Sequence, residues 1–451
     1  MIRIIVRSKR DADAIKAVIE RFYEEWNISV HTLKGARNVN KALDVLEEFR
    51  KKPEFIIIIL GREDKDSATI LESMLPYNFI VHVIPYAKVR NARIDHLFHE
   101  LETAKSKIRL TITWDCADNV FLLYRGGESL EDLKINPAFE AFFGLGEKVK
   151  HYLSKVIRGA IGLNPLLVRE FSGLHKVYCG PKKTAALKMP DKGTTPEGKI
   201  ISDEIYDVDL NKLIKANKQI LNLYESIALE FLKRFEKWAD TVIIPWSGGK
   251  DSTTVLLLAL KVFSKKKVIP VYADTGLEFP WTKEYIEQTS RRLGLRVHIT
   301  YVRLDEELKK GRELPTHDNR WCTGLKIHAV EKAISELSHG NTLIIVGDRD
   351  AESERRSKRP PIRSATGHKL VVAPIKLWGA THTQLYLLLN NIPLNPLYNI
   401  GFYRIGCYIC PALRSWEVYL MLEDKELKAS LVSQPFYKEF IEFREKTQVL
   451  E

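Results

Sequence analysis

Hydrophobic positions fall in short blocks along this chain, and the spacing within each block predicts strands alternating with amphipathic helices. Residues 2–6, 28–33, 55–60 and 79–84 read as strands. Charged stretches with helical spacing, 12–26 and 40–51, lie between them. This pattern predicts a small α/β domain with a parallel sheet over residues 1–105. Residues 106–205 are mixed, with a hairpin pattern at 109–113 and 119–124, a helix at 147–157 and a β-rich stretch at 167–188. A surface loop rich in Pro, Gly, Lys and Thr follows at 190–198. A long helical pattern over 210–238 then leads back into alternation, with strands at 241–246, 267–273, 296–301 and 342–346 and helices at 281–293 and 325–337. The expected fold is therefore α/β. A doubly wound parallel-sheet domain over 206–425 follows the small domain and the mixed segment, and a helical tail closes the chain at 426–451.

One boundary between these patterns carries chemistry. The strand pattern ending at Trp246 stops at Ser247-Gly248-Gly249-Lys250-Asp251-Ser252, and an apolar run of helix length begins at once. The two glycines permit a tight turn that brings successive N–H groups towards an anion. The open N–H groups of the first helical turn and the helix dipole face the same point. Lys250 adds a full positive charge, Ser247 and Ser252 add hydroxyl groups, and Asp251 can hold a magnesium ion (Mg2+). The stretch reads as a phosphate cradle. It is not the Walker loop, whose first glycine lies further from its Gly-Lys pair.

Composition sharpens this picture in three ways. The 70 Lys+Arg against 58 Asp+Glu leave a net charge of +12, which favours an acidic partner such as a nucleotide or nucleic acid. No apolar run approaches membrane-spanning length, and the N-terminal residues lack the apolar core of a signal peptide, so a cytoplasmic location without a membrane partner is expected. Cysteines number 5, and in such a chain they point to metal or redox chemistry before disulfides. Cys407 and Cys410 form a Cys-x-x-Cys followed by proline, and Cys322 lies upstream in Arg320-Trp-Cys-Thr. Three thiolates can hold a four-iron (4Fe-4S) cluster with one iron left open, or zinc with a further ligand such as His317. A redox dithiol at Cys407 and Cys410 is the other reading.

The cradle following a hydrophobic strand resembles the pyrophosphate loop (PP-loop) of the ATP pyrophosphatases. Asp274-Thr275-Gly276-Leu-Glu278-Phe279-Pro280 and Gly347-Asp-Arg349-Asp-Ala-Glu352-Ser353-Glu-Arg355-Arg356 resemble successive signatures of the phosphoadenosine phosphosulfate (PAPS) reductase family. Pro374-Ile-Lys-Leu-Trp378 and Pro393-Leu-Asn-Pro-Leu-Tyr398 are similar to its downstream segment, so the resemblance covers residues 240–420. It implies ATP held by Ser247, Gly248, Gly249, Lys250, Asp251 and Ser252, with Asp274, Thr275, Gly347 and Ser353 around the nucleotide. It also implies Lys250 and Asp251 as catalytic residues, with Arg349 and Arg356 on substrate anions. Related pyrophosphatases that thiolate tRNA use a three-cysteine cluster, which implies Cys322, Cys407 and Cys410 as its ligands. One departure matters. The reductases carry a catalytic cysteine in a Glu-Cys-Gly-Ile-His-like tail, and residues 433–451 here contain none. With the loop complete, this points from sulfonucleotide reduction towards ATP-dependent adenylation.

Basic and aromatic residues interleave from Val168 to Lys183, a texture that suits RNA binding through Lys176, Lys182 and Lys183 and loosely resembles a PUA-type module. The expected function is adenylation of RNA, with tRNA the preferred kind, for sulfur transfer. The alternatives are a PAPS or adenylylsulfate reductase acting on a sulfonucleotide, and a non-catalytic nucleotide- or RNA-binding regulator.

Overall fold

The computed structural model describes residues 2–448; the last three residues of the tail expected at 426–451 lie outside the described residues. The first sheet is wholly parallel, in the order Ser29–Thr32, Ile2–Val6, Phe55–Leu60, Phe79–Val83. Its central strand, Phe-Ile-Ile-Ile-Ile-Leu, is buried at every position because helices cover both faces, so the apolar run does not alternate. The middle of the chain holds two antiparallel sheets. One has three short strands around Thr113–Asp115. The other has five, in the order Glu197–Ile200, Lys183–Lys188, Leu174–Tyr178, Leu166–Arg169, Glu140–Phe143. The largest sheet runs His298–Tyr301, Val268–Asp274, Thr241–Pro245, Thr342–Ile345, Lys369–Val372, Ile362–Ala365, parallel except at its last strand.

These sheets share a core. One cluster of buried apolar side chains extends from Ile2 to Tyr398, through the helix Leu210–Lys233 that packs on the helices Lys250–Val262 and Ala380–Leu389. Asn217 of the long helix is fully buried and uses its amide on both sides, accepting from Leu123 N at 2.7 Å and donating to Phe121 O at 2.8 Å. That satisfied amide fastens the three-stranded sheet to the nucleus of the fold.

Two expectations shift. The strand expected at 109–113 is helical to Leu110, in Ile94–Leu110, and the strand starts at Thr113. Tertiary charge explains this: Lys105 and Arg109 lie one turn apart, both buried, with Lys105 paired to Asp350 at 3.0 Å and Arg109 donating to Pro137 O at 2.6 Å. The hairpin Ile362–Ala365 and Lys369–Val372 was not anticipated, although Gly367, at φ 73°, marks its turn.

Candidate active site

Thr241–Pro245 and Thr342–Ile345 are neighbours in the large sheet, yet the chain leaves the first towards Val268–Asp274 and returns on the opposite side to form the second. Connections that diverge this way open a crevice at the carboxyl ends of the two strands. Here the crevice is a cleft of about 800 Å³, and the Ser247–Ser252 loop, Gly347–Arg349, Tyr398 and Tyr403 line it.

The loop turns at Gly248, whose φ of 73° is costly for any residue with a side chain. Two of the loop's N–H groups have side-chain partners where the helix Lys250–Val262 begins. Lys250 N donates to the Tyr398 hydroxyl at 3.1 Å, and Ser247 N donates to Ser252 Oγ at 3.2 Å. Gly347 presses on this first turn from the next strand: a Cβ there would lie 2.8 Å from Asp251 C.

Lys250 is not a free surface cation. It is 4% exposed, its Nζ is 3.2 Å from Asp251 Oδ2, and it lies over the rings of Tyr398 and Tyr403 at 5.4 and 5.2 Å. Asp251 Oδ1 accepts from Arg349 Nε at 2.8 Å and from the Thr383 hydroxyl at 3.1 Å. Burial alone would raise the Asp251 carboxyl, but the Arg349 and Lys250 charges outweigh it and bring it down to about 2. Both Asp251 oxygens thus have protein partners, and Lys250 is the one cation of the Ser247–Ser252 loop. The sign of the Asp251 shift fixes a pH dependence. Its share of stability is complete above the ordinary aspartate range near 3.8 and is lost as pH falls through about 2. A pH–rate profile is therefore expected to contain no limb from Asp251 above about pH 5. Comparing wild type with Asp251→Asn across pH 4–8 checks this.

Arg349, expected on substrate anions, has protein partners instead. It is 1% exposed, held by Asp251 and by Glu140 Oε2 at 2.7 Å. Arg356 pairs with Glu352 and lies 3.6 Å from Asp348, which also receives Arg359 at 3.0 Å. Ser353 accepts from Arg356 N at 3.3 Å and caps the short helix Glu354–Ser357. Three other arginines on the cleft, Arg320, Arg355 and Arg404, have no side-chain hydrogen bond or ion pair among the described residues. Sequence reasoning gave these three no role, although each lies in a motif it had singled out.

Asp274 and Thr275 serve their own loop. Asp274 Oδ1 accepts from Gly276 N at 2.9 Å and Oδ2 pairs with Lys283 at 3.1 Å, while Thr275 N donates to Glu278 Oε2 at 2.9 Å. Neither side chain lines the cleft. Beside the loop, a smaller apolar slot of about 90 Å³ opens between Trp246, Val271, Thr282 and Val330.

At the end of that slot the three cysteines of the sequence reading come into one neighbourhood. Cys407 pairs by a backbone bridge with Glu278 and lies 3.2 Å from the Thr275 hydroxyl. Cys322 sits in the first turn of Trp321–Leu337, near enough to Cys410 for their charges to interact. Burial pushes the Cys407 thiol up, and Glu278 adds to this; burial also raises Cys322. For Lys326, burial would lower the pKa, but Cys407 and Glu278 offset it and raise it. Among the described residues no three His, Cys, Asp or Glu side chains come close enough to hold one metal ion. A zinc site completed by His317 is therefore not assembled here.

The middle-segment lysines are each matched by acids. Lys176 is buried and pairs with Asp132 at 2.8 Å and Glu170 at 2.9 Å, Lys182 pairs with Glu204 at 2.6 Å, and Lys183 reaches Asp132 at 3.6 Å. The strand Leu174–Tyr178 is buried on both faces from His175 to Tyr178, with Val177 and Tyr178 entering different apolar clusters.

The glycine turn at Gly248 sits at a topological switch point, at the carboxyl end of Thr241–Pro245 in an α/β sheet. Residues 241–413 match the phosphoadenosine phosphosulfate reductase domain. The chain is 35% identical over 222 residues to an uncharacterized protein of Methanocaldococcus jannaschii, covering 48% of this chain and 45% of that one. It is 29% identical over 169 residues to an adenosine 5'-phosphosulfate reductase of Chelativorans sp., covering 36% of this chain and 66% of the reductase. Among solved structures it is similar to a PAPS reductase from Candida auris in a phosphate complex, at 21% identity and a TM-score of 0.35, covering 47% of this chain and 97% of that one. A second uncharacterized protein of M. jannaschii is 30% identical over 228 residues, and the match spans about half the length of these two relatives, 45% and 54%. Among the described residues no helix is long and apolar enough to cross a membrane.

Proposed function

We propose that the protein binds ATP, with its magnesium, over the Ser247–Ser252 loop and splits it between the α and β phosphates, leaving an adenylated substrate for sulfur transfer. The observation that carries this reading is the complete cradle: Lys250 held against Asp251 at the mouth of a helix N-terminus, inside a cleft of about 800 Å³. Lys250 and the loop N–H groups would neutralise the departing pyrophosphate, so catalysis is positioning and charge stabilisation. The apolar slot beside the loop suits a flat base, and Thr282 on its wall supplies a hydroxyl.

The substrate we assign is an RNA, with tRNA the preferred kind. Support comes from the three unpartnered arginines on the cleft and the net charge of +12, not from the middle-segment lysines. Binding should fall steeply with salt, by roughly a thousandfold between about 50 and 200 mM if six or so phosphates are contacted. Replacing Arg320, Arg355 and Arg404 together with glutamine is expected to weaken binding and flatten the salt slope, whereas replacing Lys176, Lys182 and Lys183 is not. Filter binding of tRNA across a salt series checks both.

Cys322, Cys407 and Cys410 would anchor a 4Fe-4S cluster, whose ligands sit on different irons and need not converge on one ion. Such a cluster would supply an iron open to sulfur. Anaerobically purified protein is then expected to be brown, and Cys322→Ala, Cys407→Ala or Cys410→Ala to lose the colour. Colourless wild-type protein containing no iron would overturn this part.

The reading as a whole is tested by incubating the protein with ATP, magnesium and bulk tRNA and assaying pyrophosphate. The relatives named as sulfonucleotide reductases favour a second reading, in which a sulfonucleotide and a dithiol reductant yield sulfite, the nucleoside phosphate and a disulfide, assayed with those two in place of ATP and tRNA. Release of neither product would leave the non-catalytic regulator.

A further inference from the structure

The residue that holds Arg349 from behind, Glu140, lies outside the matched domain, about a hundred residues before it in the chain. It sits on Glu140–Phe143, the edge strand of the five-stranded middle sheet, and is an acid inside the apolar run Phe139-Glu-Ala-Phe-Phe143. It is 0% exposed. Oε2 accepts from Arg349 Nη1 at 2.7 Å, and Oε1 accepts from Ala380 N, at the start of Ala380–Leu389, at 2.9 Å.

The register of this strand against that helix is fixed by a second pair of bonds. Phe143 N donates to Gln384 Oε1 and Gln384 Nε2 donates to Phe143 O, both at 2.9 Å, so the Gln384 side chain stands in for a missing neighbouring strand. One residue before Gln384, the Thr383 hydroxyl donates to Asp251. The strand and the cradle are thus tied through a single helix as well as through Arg349.

Glu140, Arg349, Asp251 and Lys250 form a chain of alternating charge, and its first three members are linked at 2.7 and 2.8 Å. Burying such charges costs several kcal/mol per ion before pairing offsets it, and apolar residues would hold two elements together at least as well. What a fixed carboxylate adds is a dedicated counter-charge for Arg349. With Glu140 in place, the guanidinium keeps its plane and a partner when Asp251 and Lys250 redirect their bonds towards an arriving phosphate.

We propose that Glu140 is a positioning residue of the phosphate cradle, acting through Arg349 on Asp251 and Lys250, so that the middle segment completes a site otherwise built within the matched domain. This rests on reading the Ser247–Ser252 loop as a phosphate site.

The test uses the full chain and inorganic pyrophosphate as the probe, with affinity measured by calorimetry. Glu140→Gln keeps the volume and the acceptor for Ala380 N while removing the charge. Arg349→Gln reaches the same link from the other side. If Glu140 acted only through its charge, removing it would tighten binding of an anion. Positioning makes the opposite prediction: Glu140→Gln weakens pyrophosphate binding about tenfold, Arg349→Gln does likewise, and the double variant is no weaker than the worse single one. Tighter or unchanged binding in Glu140→Gln, or losses that add in the double variant, would overturn the proposal. Should wild type bind pyrophosphate yet never release it from ATP, the adenylation reading fails while this cycle still decides the role of Glu140. A wild type that does not bind pyrophosphate overturns both.

Discussion

Lys250→Met is expected to lower the proposed release of pyrophosphate by roughly a hundred- to a thousandfold, the loss typical when one charge-stabilising donor is removed from a preorganised site. Methionine is the substitution to use because Lys250 packs under Tyr398 and Tyr403 as well as carrying charge. Alanine would open a cavity and mix a folding defect into the result. The electrostatics compound the loss. Glu140, Arg349, Asp251 and Lys250 balance as two acids and two bases, so removing the lysine leaves a net negative charge facing a polyphosphate. The check is steady-state pyrophosphate release alongside thermal melting. Turnover within about threefold of wild type would mean that the loop amides alone carry the phosphates.

Gly347→Ala is expected to damage both stability and turnover. The added methyl would stand 2.8 Å from Asp251 C, 2.9 Å from Asp251 O and 3.0 Å from Ser252 N. All three are backbone atoms at the start of Lys250–Val262, and no flexible side chain can move aside to relieve the clash. Overpacking of this sort costs about 1–3 kcal/mol, and the strain falls on the residue that orients Lys250. A lower melting temperature together with at least a roughly tenfold loss of turnover is the expected result. If calorimetry and the pyrophosphate assay both match wild type, the strand does not press on the cradle as described.

The legibility of the site followed the range of the interactions that build it. Ser247–Ser252 could be read directly because a strand, two glycines and a helix start are local features, and each constrains its own backbone. The same holds for Phe55–Leu60 and Glu147–Ile157, whose patterns predict the observed bounds. The cysteines could be shortlisted by spacing, but their gathering around Lys326 required a helix start and a loop about eighty residues apart to meet.

Charge was the least legible quantity. A cation in a sequence looks the same whether it faces solvent or a carboxylate folded in from elsewhere. Lys176, Lys182 and Lys183 read as a basic surface, and Arg349 read as a ligand for substrate anions. Asp132, Glu170 and Glu204 neutralise the lysines, and Glu140 and Asp251 hold the arginine. Arg320, Arg355 and Arg404 lie in motifs quoted from the sequence but were passed over in favour of Arg349 and Arg356, yet they are the ones left without partners.

By itself, the sequence determined the α/β alternation and the glycine turn between strand and helix at Ser247–Ser252, because these rest on periodicity and turn chemistry within short windows. Only the tertiary structure decided which charges remain for a substrate and which are spent inside the protein. Ion pairing depends on distances of a few ångströms between side chains that, for Glu140 and Arg349, lie 209 residues apart.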